Sequence, residues 1–267
     1  MFAGRALIYI IDAQGHETSA REVIINTFPV TNVSSANYRG LNLAAESIAS
    51  VFGLSMASIT QAASSTPLPT EIASTHVTVK DSSGAERLAP LFSVSPTQIN
   101  YQVPPGAQSG PALVTVFNGS GSSATEAIQI VDVAPGLFTA NATGSGVAAA
   151  LALRVKADGT QIYESIATFD HAQNQFVAAP IDLGAPTDQV FLVLFGTGLR
   201  GRSALSAVTA TVGGTSAEVF FAGAHGSLVG LDQVNLLLPR GVTGMGPVDV
   251  AINVDGLMAN VVKINVK

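Results

Sequence analysis

The chain has 267 residues, 47% of them hydrophobic and only 11% charged, with a formal net charge of -6 and no cysteine. That length suits two domains of ordinary size, each able to bury a core without disulfides or thiolate metal sites. The acidic balance gives no basic footprint for nucleic acid, and no apolar run approaches the roughly 20 residues that cross a bilayer as a helix.

In chain order, residues 1–29 contain "RALIYIID" and "REVIINTF" around "AQGHETS", which read as a β-hairpin or strand extension. No signal-peptide pattern opens the chain, so the reading there is an intracellular protein or a piece of a longer precursor. "LNLAAESIASVF" (41–52) fits a helical or a strand period, and "LSMASITQAASSTPLPT" (54–70) reads as a surface loop with room for one helical turn. Strands are predicted over 75–80, 98–104, 112–118 and 125–133, then, beyond the linker-like "DVAPGLFTANATGSG" (132–146), over 147–153, 190–195, 206–212 and 247–254. Asp81 to Gly84, Asn118-Gly119, Asp158-Gly159, Gly213-Gly214 and Asp255-Gly256 supply turns between strands. Many short strands without a long amphipathic helix predict an all-β chain of antiparallel sandwiches. The expected division is an extension over 1–29, a first sandwich domain over 30–138 and a second over 139–267.

An internal repeat supports that division. Gln98, Asn100, Pro104 and Gly106 in "SPTQINYQVPPG" recur at one constant offset as Gln233, Asn235, Pro239 and Gly241 in "GLDQVNLLLPRG". Upstream, Gly84 and Phe92 match Gly213 and Phe221, with an insertion around 223–229 between the two offsets, and Phe52-Gly53 matches Phe195-Gly196. Period two sends Ile99, Tyr101 and Val103 to the core and the amides to the other face. Two amides that donate and accept could tie their strand to a loop backbone, while the proline ends pairing and the glycine permits a turn. The eight residues therefore read as a structural clamp, with an amide pair for sugar contacts as the alternative.

Catalytic chemistry finds little purchase. "GSGSSA" (119–124) matches the form G-x-G-x-x-A, but the strand-like "TEAIQIVDV" follows where a dinucleotide site needs a helix. There is no G-x-S-x-G elbow, no phosphate-binding lysine loop and no Cys nucleophile. His16, His76, His171 and His225 are scattered; Asp170-His171 is the nearest approach to an acid/base pair, and neighbours on a strand point apart. Dispersed Asp and Glu form no calcium-loop pattern, although a site of loop carbonyls stays open. Without Trp, and with Tyr9, Tyr38, Tyr101 and Tyr163 isolated, ring stacking on sugars lacks a platform. The expectation is a chain that is not an enzyme and carries no cofactor.

The phrases "SIASVFG", "STPLPTEIASTHVTVKDSSGAERLAPLFSVSPTQINYQVPPG", "VAPGLF", "DQVFLVLFGTGL", "VGGTSAEVFFAG" and "VGLDQVNLLLPRG" resemble the Solibacter-type C-terminal domain family of acidobacterial secreted proteins. The resemblance runs from about Val30 to Lys267. It implies two tandem immunoglobulin-like β-sandwiches of the IPT/TIG type at the end of a larger secreted or cell-surface protein. It transfers no catalytic residue, and it would place a small residue where His171 stands. The expected role is a non-catalytic structural, adhesion or assembly module that meets a protein or glycan surface. The alternatives are a carbohydrate-binding module, a hydrolase, and a filament subunit that self-associates by donating its N-terminal strand.

Overall fold

The computed structural model describes residues 2–11, 17–27 and 29–267 except 122, with side chains from residue 29 onward. It is all-β: the helical segments among the described residues are two three-residue 3₁₀ turns, Leu205–Ala207 and Arg240–Val242. Strands Phe2–Ile11 and Glu17–Thr27 form an antiparallel ribbon, and among the described residues they pair only with each other.

From Thr31 onward the strands form two pairs of sheets and one separate hairpin, Ala167–Asp170 with Gln175–Ala178. In the first pair, one sheet has the order Thr31–Ser34, Ile48–Phe52, Gln98–Gln102, Leu91–Val94, Gln61–Ala62. Its companion has the order Asn42–Ala44, Ser123–Val131, Gly110–Phe117, Thr75–Lys80, Glu71–Ile72. The second pair repeats this plan. Gln161–Ser165 is added outside Ala150–Val155, Gln189–Thr197, Asp232–Leu237 and Val219–Ala224. The companion sheet runs Pro180–Ile181, Val262–Val266, Gly246–Val254, Val208–Val212, Thr215–Ala217. Even the short parallel strand recurs: Asn42–Ala44 lies beside Ser123–Val131, and Pro180–Ile181 lies beside Val262–Val266.

Register makes the repeat exact enough to align residues. Phe52 lies opposite Gln98, as Phe195 lies opposite Gln233. Ser93 lies opposite Asn100 and Phe221 opposite Asn235, with a bulge just before each. Phe92 therefore corresponds to the bulged Phe220, one residue from the match that identity suggested. A bulge adds an unpaired residue, so two adjacent phenylalanines cannot be ranked by sequence alone.

Each pair of sheets closes on its own apolar cluster. One gathers side chains from Val30 to Ile130, the other from Val133 to Val266, and the chain crosses between them at residues 131–132. Alternation places Val248, Val250, Ile252 and Val254 of one strand in the second cluster. Segment 41–52 forms two strands, Asn42–Ala44 and Ile48–Phe52, broken where Glu46 takes φ +63°. That left-handed residue ends any helical continuation. The 54–70 loop contains no helix; it lays Gln61–Ala62 on a sheet edge and sends Met56 into the core.

Two polar groups anchor the first half. Buried Tyr101 donates to Asn32 Oδ1 at 2.8 Å, and Asn32 Nδ2 donates to Glu126 at 2.9 Å, joining the two sheets across an otherwise apolar interior. Burial, with the nearby Glu126 charge, pushes the Tyr101 phenol far above its usual range, so it stays a hydrogen-bond donor. Asp81 ends the strand Thr75–Lys80 and accepts from Ser83 Oγ at 2.6 Å, from Gln108 N at 3.0 Å and from Arg87. The Ser83 hydroxyl and the Gln108 amide hold its carboxyl well below the usual carboxylate range.

A carboxyl with a depressed folded-state pKa stabilises the fold above the unfolded value of about 4 and loses that contribution as pH falls toward the folded value. Asp81→Asn is therefore expected to be less stable than the parent at pH 7, with the gap narrowing steadily from pH 5 to pH 2. Urea unfolding across that range measures it, and a pH-independent gap contradicts the assignment.

Candidate functional site

The repeated amides lie on the outer faces of equivalent strands. Gln98 Nε2 donates to Asn100 Oδ1 at 2.8 Å, and Gln233 Nε2 donates to Asn235 Oδ1 at 2.7 Å. Each amide pair thus bridges two residues of its own strand, in place of the expected bond to a loop backbone. In the first half a ladder continues: Ser50 Oγ donates to the same Asn100 oxygen at 2.8 Å, Asn100 Nδ2 donates to Ser93 at 3.3 Å, and Ser35 pairs with Ser50 at 2.7 Å. The rings of Phe52 and Tyr38, 6.3 Å apart, border this ladder. The arrangement has the amides and the Tyr that sugar binding asks for. However, the Asn100 amide is already engaged, and the Tyr38 hydroxyl donates to Ala142 O at 2.7 Å.

After each strand, Pro104 and Pro239 accept a turn bond from the amide three residues on. Gly106 takes φ +72°, the type II geometry that Pro105-Gly106 favours. Gly241 lies in a 3₁₀ turn and has no such requirement.

Amides that do clamp backbone were not apparent from the repeat. Gln102 Nε2 donates to Glu46 O at 3.2 Å. Asn260 binds Leu137 at both its amide and its carbonyl, at 2.7 and 2.9 Å, which holds Gly136–Leu137 to the second half. Asn141 makes the same two-sided contact with Phe176, both bonds at 2.8 Å.

The densest polar construction joins the two halves. Fully buried Asp232, immediately before the repeated Gln233, accepts from Leu199 N at 2.7 Å and from Arg200 Nε at 2.8 Å. The same guanidinium reaches Glu46 in the first half at 3.1 Å. Thr197 Oγ1 accepts from Ile48 N and donates to Gly230 O, both at 2.8 Å. Asn37 Nδ2 donates to Pro135 O at 3.2 Å, and Arg39 donates to Met258 O at 3.2 Å.

Glycines let the crossing segment lie against this junction. Residues 196–201 spell G-x-G-x-x-G, yet a side chain on Gly196, Gly198 or Gly201 would collide with the carbonyls of Gly136, Ala134 or Asp132. The space that a phosphate would take in a nucleotide site is filled here by the chain's own backbone, and no helix follows.

The histidines with described side chains pack on phenylalanines: His76 on Phe117, His171 on Phe169 and His225 near Phe195. Asp170 accepts from Ala172 N and Gln173 N, capping its own turn. His16 and the side chain of Tyr9 lie outside the described residues. Among the described residues no three metal-ligating side chains gather. An open basin of about 890 Å³ at one end of the first half is lined by small groups including Ser55, Ala73, Ser74, Asn118 and Gly119. It has no charged or aromatic lining residue. Its hydroxyls and amide can make hydrogen bonds but hold no acid and base in reach of each other.

Asn100 has three side-chain partners where Asn235 has one, so the two should differ. Asn100→Ala is expected to cost about 1 to 2 kcal/mol and Asn235→Ala under about 0.5 kcal/mol. Equal losses in chemical denaturation contradict the ladder's role. Asp232→Ala, which leaves the buried Leu199 amide without its acceptor and removes one of the three partners of the Arg200 guanidinium, should cost about 2 to 3 kcal/mol. A thermal transition within a degree or two of the parent would show the junction charge to be dispensable. No family model and no curated protein matches the chain.

Proposed function

We propose that the chain is a non-catalytic structural or assembly module of a larger secreted or cell-surface protein, acting as a stiff spacer. Its two sheet pairs are read as tandem immunoglobulin-like domains. One observation carries the reading: hydrogen bonds and an ion pair fasten the two halves through Glu46, Ile48, Thr197, Arg200 and Asp232. A guanidinium that meets a buried carboxylate on one side and the other half's carboxylate on the second resists reorientation, since any rotation must break a charge-assisted bond. A freely jointed pair of sandwiches has no need of such contacts. The placement outside the cell rests on the resemblance of residues 30–267 to a secreted module.

Spacing predicts a fixed geometry. The chain has no native cysteine, so spin labels on Ala127→Cys and Thr211→Cys, both exposed strand positions, report one distance between the halves. Pulsed electron paramagnetic resonance should give a single narrow distribution that broadens when Arg200→Ala is combined with Thr197→Val. A broad distribution in the parent overturns the spacer reading.

A further inference from the structure

The duplication allows the outer sheet faces of its two halves to be compared residue by residue. In the first half, one row across that face reads Val33, Ser50, Asn100, Ser93. The equivalent row in the second half reads Leu151, Val193, Asn235, Phe221. Both hydroxyls that bond Asn100 have become apolar, and the Asn235 amide nitrogen donates to no group among the described residues. In the next row the polar Gln102 of the first half becomes Leu237, the apolar Ile48 becomes the larger Phe191, and Leu153 and Tyr163 extend the row. Phe220 stands edge-on to Phe191 at 5.2 Å. Tyr163 is 62% exposed, Phe220 48% and Phe221 38%.

Val193 at the centre is buried by its neighbours, but the rings of Tyr163, Phe220 and Phe221 around it stay exposed together, whereas ordinary exposed apolar groups are scattered singly. We propose that this face docks a second copy of the chain, sheet face against sheet face about a two-fold axis. Three features favour a copy over an unlike partner. These two rows contain no charged residue, so a chain of net charge -6 can meet itself there without placing like charges opposite each other. The one polar group at the centre is an amide, which both donates and accepts and so complements its own counterpart across a two-fold axis. Size also fits. Five strands about 4.8 Å apart and about six residues long at about 3.4 Å each make a face near 24 by 20 Å, and two such faces hide on the order of 1,000 Å², the threshold for a specific contact.

The dimer and the spacer reading are tested separately, because light scattering reads mass, while labelled chain diluted into excess unlabelled chain reports only distances within one chain. Light scattering on the full chain should give twice the 27.1 kDa chain mass at micromolar concentration. Tyr163→Asp and Phe221→Asp should each raise the dissociation constant roughly thirty-fold or more, as loss of an interface anchor does. Leu113→Asp, at an exposed apolar position of the first half, should leave it unchanged. Tyr163 is a largely exposed edge position, so its variant keeps the fold should Phe221→Asp fail to. A parent that stays monomeric at 1 mM overturns the proposal, as does a dimer or polymer indifferent to both face variants, which would assign association to the Phe2–Ile11 and Glu17–Thr27 ribbon.

Discussion

A buried carboxylate at the meeting of the two halves sets the rest of the arrangement. Asp232 is the last residue before the repeated strand pair of amides, and its oxygens satisfy the backbone of the Leu199-Arg200 turn together with the Arg200 guanidinium. With that turn fixed, Thr197 presents its hydroxyl to Ile48, and the glycines on either side of it admit the crossing segment at backbone contact. Desolvating a carboxylate is costly unless every lone pair is used, which is why so many donors converge on one residue. The same convergence fixes the Leu199-Arg200 turn within the second half, and from it Arg200 reaches Glu46 and Thr197 meets Ile48, the contacts that set the orientation of the halves.

The two copies agree inside and differ outside. Val51 and Ile99 in one core correspond to Leu194 and Val234 in the other, so each interior is filled by branched aliphatics at matching lattice points. The outward rows carry no packing obligation toward their own core, so they are where the copies can diverge without cost to folding. That freedom has been used in opposite ways. The first half turns its face into a hydroxyl and amide ladder, and in the adjoining row Gln102 holds Glu46 while Ile48 meets Thr197 at the junction. The second half keeps the amides and surrounds them with rings.

Much of the fold was legible from residues alone, because period-two alternation and turn glycines are local signals. Gly213-Gly214 and Asp255-Gly256 form the two-residue hairpins their composition demands, with positive φ at both positions. The constant offset between the two copies of the motif also reported a true structural correspondence, confirmed by the shared cross-strand partners. What the sequence could not express is partnership across distance. Nothing near Asn260 announces that its amide will meet Leu137, and Asp232 reads as one more loop acid until its register places it under Leu199. The G-x-G-x-x-G run at 196–201 was the available clue to the junction: three glycines spaced for close approach, where the thing approaching proved to be the chain itself.

The repeated amides show why a conserved spelling within one chain need not mean one task. In both copies the Gln side chain steadies the Asn two residues on, which fixes the rotamer of each amide on its strand. From that shared starting point the surroundings decide the outcome. Where Ser50 and Ser93 stand beside it, the Asn is consumed in a closed ladder and the face is finished. Where Val193 and Phe221 stand instead, the amide keeps a donor that no group among the described residues uses, and an oriented polar group within an apolar face is the arrangement that gives an interface its register. The substitution of two hydroxyls by hydrocarbon thus converts a self-satisfied surface into one whose hydrogen bonding can be completed only by another molecule or by water.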